Sequence, residues 1–262
     1  PKFHSIHVNT EEVAEGRQEP QRTWMIEFLK DEKGRMTRLQ YQQEYLGLFV
    51  GGIQRFFPDD LIYQICTGKK NLMLPAGDKF QGIDIARMGG DETVLISLER
   101  HRSNLTQFDL TIPEQQTLTD TTRLIIHKDK QINHKTIYMD DAGLGAGVFD
   151  QLMEDEQTKR KIVGINNAKR PIEKPVWKKD RKTQRKTPTM KELLYINLKN
   201  LMEKKEIKLL DIPEIKHSLR SIQYDNESGE LKIYGNYSHI TEALIRAAWC
   251  IKDKSLNLFF YK

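Results

Sequence analysis

Apolar and polar positions along this chain follow one pattern up to about residue 80 and a more regular one beyond it. Phe80, Ile83, Ile85 and Ala86 mark a strand over 80–86, 87–90 reads as a turn, and 93–100 as a second strand. A third strand is expected over 105–112. Pro113 in a first helical turn, with apolar Leu118, Leu124 and Ile125, predicts a helix over 113–129. Thr136–Met139 reads as a short strand of the buried type, 147–156 as a helix and 161–165 as another strand. Met190, Leu193, Leu194, Ile196, Leu198, Leu201 and Met202 predict a long amphipathic helix over 189–205. The segments 221–224 and 230–234 flank Asn226-Glu227-Ser228-Gly229, a hairpin signal. Ser238 is the expected cap of a last helix whose apolar stripe is Ile240, Ala243, Leu244, Ala247 and Ile251. Strands first, then strand and helix in alternation, predict an α/β fold: a mixed β-sheet flanked by helices on both faces.

The N-terminal part is looser. A strand over 3–8 and a helix over 36–48 are expected, then turns at Gly51-Gly52 and Phe56-Phe57-Pro58-Asp59-Asp60. Residues 1–75 are therefore expected to be a linker or the tail of a preceding domain, and 76–262 the main domain. The length of 262 residues suits one large domain or one with an appendage. The chain begins at Pro1 rather than Met, so it is expected to be part of something longer. Hydrophobic residues make up 38% and charged residues 30%, and mean hydropathy is −0.64, which points to a soluble chain with an ordinary core. No apolar run approaches the roughly 20 residues of a membrane span, and no secretory signal is read at the N-terminus. Cys66 and Cys250 lack metal-ligand spacing and are expected to be free thiols in a reducing compartment.

Charge sharpens this picture. The net charge is +5, yet residues 157–187 alone hold 12 Lys or Arg against two acids, Glu173 and Asp180, so the rest of the chain is net acidic. Such a concentration suits contact with a phosphate backbone. The candidate DNA-binding residues are Lys169, Arg170, Lys174, Lys178, Lys179, Arg181, Lys182, Arg185 and Lys186, with Trp177 able to stack on a base. The plainer reading is a solvated surface.

Candidate chemistry lies in three places. Asp84 stands in an otherwise apolar strand, where an acid is costly unless paired or metal-bound; the alternative is a strand-end Asp facing solvent. Asp91 falls on the same face if the turn closes an even-numbered hairpin, or is only a turn residue. Asp140 ends the strand Thr136–Met139 before a Gly-rich turn, the place where α/β sheets put their ligands. Asp141 alternates to the other face, as a structural residue would. His239 borders the apolar stripe of the last helix and could face the sheet, or is simply a polar residue at a helix start. Glu242 shares roughly that side but is expected to point further toward solvent. Two acids at strand ends and a ligand at a helix start are what phosphodiester cleavage by two metals needs. No Gly-x-x-x-x-Gly-Lys-Ser/Thr is present, so no ATP hydrolysis is expected.

In this order and spacing, these elements resemble the nuclease half of the large terminase subunit of tailed bacteriophages, an RNase H-like group. Gln43-Glu44-Tyr45-Leu46-Gly47-Leu48-Phe49, followed by Phe57-Pro58, looks like the end of that family's ATPase-to-nuclease connection. Gly82-Ile83-Asp84 with Gly90-Asp91-Glu92-Thr93 looks like its first acidic strand and hairpin, and Asp140-Asp141-Ala142-Gly143-Leu144-Gly145 like its second. Val163-Gly164-Ile165-Asn166 looks like the strand after it, and His239-Ile240-Thr241-Glu242-Ala243-Leu244 like the third metal-site element. His239 stands where an Asp is commoner, and Glu242 where an Asp often precedes Ala-Leu. The resemblance implies a metal-dependent endodeoxyribonuclease that cuts concatemeric viral DNA during genome packaging. It would use two Mg²⁺ or Mn²⁺ ions: Asp84 bridging both, Asp140 on one, His239 on the other, with Asp91 or Glu242 assisting directly or through water. Double-stranded DNA, the portal protein, the small terminase subunit and the chain's own ATPase domain are the implied partners, in the cytoplasm of an infected bacterium and without a membrane. Rival readings are a Holliday-junction-resolvase- or integrase-like nuclease of the same fold, and a catalytically degenerate DNA-binding or motor-docking module.

Overall fold

A computed structural model describes residues 8–35, 41, 44–47, 55–70, 73–86, 92–114, 116–143, 145–170, 188–225 and 231–252. The chain forms two compact units, Pro1–Gln54 and Arg55–Lys262. The first contains helices α1 (Thr10–Glu15) and α2 (Gln21–Arg35), neither of them foreseen from the pattern. The Asn9 side chain caps α1 by accepting from the Glu12 amide. Ala14, Leu29 and Tyr41 form its small core, and the Tyr41 hydroxyl donates to Glu11 at 2.8 Å.

The second unit holds the sheet. Its elements are α3 (Asp59–Ile65), β1 (Cys66–Gly68), β2 (Asp78–Asp84), β3 (Val94–His101), β4 (Asn104–Thr111), α4 (Leu118–Ile132), β5 (Thr136–Met139) and α5 (Gly145–Glu154). They continue with β6 (Ile162–Gly164), α6 (Met190–Glu203), β7 (Ile207–Leu210), α7 (Pro213–Ser221), β8 (Gln223–Asp225), β9 (Lys232–Tyr234) and α8 (His239–Ala248). Among the described residues, seven strands run in the order β1-β7-β4-β3-β2-β5-β6, and β8 and β9 form a separate ribbon. The central β2-β3-β4 meander is antiparallel, and β5, β6, β7 and β1 join in parallel pairs. This is the mixed, helix-flanked α/β sheet expected from the sequence.

Period-two alternation assigns the two faces of the sheet. Ile83, Leu95, Ile137 and Met139 pack with Ile125 of α4 and with Val148 and Leu152 of α5. Val94, Ile96 and Leu98 point the other way, into a larger core built with α3, α6, α7 and α8. Gly82 lies on that second face. A Cβ on it would overlap the carbonyl oxygen of Ala243 and the amide nitrogen of Ala247, so α8 lies backbone-to-backbone on β2.

Several expectations are corrected. The helix expected from Pro113 begins at Leu118, because Thr117 caps it: Oγ1 of Thr117 accepts from the Asp120 amide at 3.2 Å and donates to the Asp120 carboxylate at 2.7 Å. Ser238 precedes α8 but its side chain makes no capping bond. Ser218 of α7 supplies the cap instead, accepting from the Thr241 amide at 3.1 Å. The second unit begins at Arg55, not near residue 76, since Phe56, Phe57, Ile62 and Ile65 are core and β1 pairs with β7. All but the last residue of the strand expected over 3–8, most of the helix over 36–48, and the turns at 51–52, 87–90 and 226–229 lie outside the described residues. Both cysteines are free thiols. Among the described residues, no helix is long and apolar enough to cross a membrane.

Gly82→Ala should destabilise the protein by about 3 kcal/mol, because the obstructing atoms are helix backbone and cannot rotate away. The urea midpoint relative to the parent measures it; an unchanged midpoint would show that α8 can lift from β2 without cost.

Candidate active site

The sheet itself brings the two acids together. β2 and β5 are parallel neighbours with Ile83 beside Met139, so the next residues, Asp84 and Asp140, leave adjacent strands at the same carboxyl end. Alternation turns both toward the α8 side. There α8 presents His239, Glu242 and Arg246, on one helical side at i, i+3 and i+7.

Arg246 sits in the middle, 1% exposed. Its Nη1 donates to Oδ1 of Asp84 at 3.0 Å and to the Glu242 carbonyl at 2.8 Å. Its Nη2 reaches Oδ2 of Asp140 and Oε2 of Glu242, each at 3.4 Å. The remaining carboxylate oxygens are engaged as well. Oδ2 of Asp84 lies 2.9 Å from Nδ1 of His239, and Oδ1 of Asp140 accepts from the Ala142 amide at 3.0 Å. Oε1 of Glu242 accepts from the Tyr195 hydroxyl at 2.7 Å and lies 3.4 Å from Nζ of Lys191, both on α6.

Electrostatics follow from that geometry. Burial pushes the Asp140 carboxyl upward, partly opposed by Arg246 and the Ala142 amide. Burial works against the charge on Arg246, but Asp84, Glu242 and Asp140 outweigh it and hold its proton more firmly than usual. Burial, then Glu242, drives the Tyr195 hydroxyl well above its ordinary range, so it stays a donor. Among the described residues, no three His, Cys, Asp or Glu side chains close around one point as metal ligands. The Arg246 guanidinium stands between the acids instead.

No protein-family model and no curated protein sequence matches the chain. Solved structures do. The large terminase nuclease of thermophilic phage G20c with bound magnesium is 17% identical, covers 76% of this chain and 98% of its own, and superposes with a TM-score of 0.56. The Thermus phage P74-26 large terminase nuclease domain is 15% identical, covering 72% of this chain and 91% of its own, with a TM-score of 0.51. The large terminase of another thermophilic bacteriophage is 15% identical with a TM-score of 0.54; the match covers 86% of this chain but only 52% of that one. The fold is that of the large-terminase nuclease domains. The G20c nuclease is also known with cobalt and with zinc bound.

On this terminase-nuclease fold, Asp84, Asp140, His239 and Glu242 converge. Glu242 is turned inward at 7% exposure, not toward solvent as expected, because Tyr195 and Lys191 hold it there. Asp141 packs over Gly164 and faces Lys169 at 4.0 Å. Asp91, Lys174, Lys178, Lys179, Arg181, Lys182, Arg185 and Lys186 lie outside the described residues. Lys161, within the basic run, is engaged structurally with Asp129 and Asn133. Sequence reasoning missed Arg246, Tyr195 and Lys191. The one available signal was an arginine amid Ile245, Ala247 and Ala248 in an otherwise apolar helix.

A second polar cluster has hydrolase-like geometry without access. Oγ of Ser97 lies 3.0 Å from Nε2 of His134, whose Nδ1 lies 3.1 Å from Oδ1 of Asp129. All three are at most 1% exposed, so no substrate reaches the serine, and the cluster is a structural tie between β3, α4 and the start of β5. Burial alone would raise the Asp129 carboxyl. Hydrogen bonds from His134, Lys161 and Gln157 outweigh it and bring it to about 2 from an ordinary 3.8. Burial lowers the His134 pKa below its usual 6.5 against the pull of Asp129, so the ring is neutral.

Both shifts favour folding at neutral pH and turn against it in acid. Below 6.5 the unfolded chain takes up the His134 proton first, and from 3.8 down to about 2 it takes up the Asp129 proton first. Asp129→Asn should therefore cost about 3 kcal/mol at pH 7, with the gap to the parent narrowing as pH falls from 4 toward 2. Urea melts at several pH values test this; a gap that does not vary with pH would overturn it.

Proposed function

We propose that this chain is the nuclease part of a phage DNA-packaging terminase: a divalent-metal-dependent endonuclease that cuts concatemeric double-stranded DNA. The observation that carries the reading is the convergence of Asp84 and Asp140 at the carboxyl ends of adjacent parallel strands, beside His239 of α8, on the terminase-nuclease fold.

The donor set fits a hard cation. Carboxylates and an imidazole suit Mg²⁺ or Mn²⁺. The Asp84, Asp140 and His239 side chains retain 15%, 26% and 29% exposure, whereas Arg246 beneath them retains 1%. An ion would be held by Asp84 and Asp140 from the solvent side, with His239 as the third candidate ligand. When bound, it supplies Lewis-acid polarisation of the scissile phosphate and activation of the attacking water. The chain's own residues set the stage: Arg246 holds both aspartates aimed together, and His239 fixes the second oxygen of Asp84.

The remaining roles follow the same reading. The basic stretch, Lys169 and Arg170 together with Lys174, Lys178, Lys179, Arg181, Lys182, Arg185 and Lys186, holds the DNA backbone, so cleavage carries little sequence preference of its own. The match spans about half the length of the longer bacteriophage large terminase described above. The first unit, Pro1–Gln54, as the end of a connection from an ATPase domain, and a portal protein and small subunit as partners, belong to this proposal. One observation favours the alternative of a DNA-binding module without catalysis, namely the guanidinium already seated between the acids.

Plasmid nicking separates the two. The purified chain should nick supercoiled DNA in Mg²⁺ or Mn²⁺ and be inert with EDTA. Asp84→Ala should abolish nicking while leaving the fold intact. His239→Ala should reduce it about ten- to a hundredfold. A folded Asp84→Ala protein that still nicks in Mn²⁺ would sink the assignment, and an inert parent would favour the binding module.

Replacing Lys178, Lys179, Arg181 and Lys182 by Gln should weaken DNA binding and reduce the slope of log K against log salt by up to about 3. The nicking rate at saturating DNA should change far less. Binding and slope identical to the parent would leave this stretch a solvated surface.

A further inference from the structure

We propose that Arg246 is a permanent second cation of the site, so that the protein takes a single divalent ion where Asp84 would otherwise bridge two. The inference rests on the nuclease reading above and concerns how that site is charged. The guanidinium spans Asp84 and Asp140, the two carboxylates a bridging arrangement would use, and consumes one oxygen from each. The other oxygen of Asp84 is engaged by His239, and the other oxygen of Asp140 by the Ala142 amide.

Charge balance points the same way. Asp84, Asp140 and Glu242 face Arg246 and, through Glu242, Lys191, so these five groups together carry one net negative charge. One divalent ion and one phosphodiester bring that cluster to neutrality. Two ions would leave two positive charges in excess beside a buried guanidinium, where repulsion is weakly screened. Nor is Arg246 an adaptable surface residue able to swing aside. It is buried along its length, donates to the Glu242 carbonyl one turn back, and is carried by a helix whose residues 240–248 are all buried. A guanidinium cannot lose its proton in this setting, so the charge is fixed.

The test is metal stoichiometry, measured by calorimetry with Mn²⁺ as the probe, alongside nicking. The parent should bind one ion per chain. Arg246→Met, which keeps length and removes charge, should bind the first ion about ten-fold more tightly and admit a second. Because that variant leaves three acids facing each other without a counter-charge between them, a companion combining Arg246→Met with Glu242→Gln removes one charge of each sign. It should likewise admit the second ion. Two ions on the parent would overturn the inference while leaving the nuclease reading intact. Stoichiometry and affinity unchanged in either folded variant would overturn it too. A parent that neither binds Mn²⁺ nor nicks DNA would remove the nuclease reading, and this inference with it.

Discussion

The close approach of α8 to β2 at Gly82 is the constraint on which the site depends. A helix normally rests on a sheet through the side chains between them. At Gly82 no side chain intervenes, and the backbone of Ala243 to Ala247 occupies the space a Cβ would take. The two aspartates come from the sheet and the histidine, glutamate and arginine from the helix, so the width of the site is the width of this contact. Short-chained Asp84 can then reach Arg246 and His239 at about 3 Å, distances that a helix seated one side chain higher would not permit.

What that closeness brings together is electrostatically expensive. Three acids gathered in so small a space repel one another. Arg246 resolves the conflict from below, while Tyr195 and Lys191 draw Glu242 toward α6. Asp84 and Asp140 keep a side toward solvent and Glu242 does not. One carboxylate of the three is thereby enclosed by protein, and two keep an open side.

Much of this was legible in the chain. Period-two alternation placed β2, β3 and β5, and with them Asp84 and Asp140 at strand ends; the apolar stripe of α8 put His239 at its border, able to face the sheet or solvent, and the structure sets it 2.9 Å from Asp84. Arg246 was not legible, because helical periodicity assigns a charged residue to the wet side by default. That logic fails for α8, which is enclosed on all sides between β2, α6 and α7. The cap of α8 failed for a related reason: its hydroxyl comes from Ser218, 23 residues upstream, and no local rule finds it. β1, at three residues, and β7, at four, are too short for a periodic signal, and they exist because each completes the other in the sheet.

The outer rims of the sheet carry a consequence for assembly. Both edge strands, β1 and β6, are three residues long, although the central strands run to eight. Each rim therefore offers only a stub of unpaired backbone groups. Among the described residues, edges this short disfavour the addition of a strand from another chain, and with it edge-to-edge sticking and fibrillar stacking. What the fold presents outward in quantity is the side-chain surface of its helices and loops, where identity can be read residue by residue, in place of the anonymous hydrogen-bonding ladder of a sheet edge.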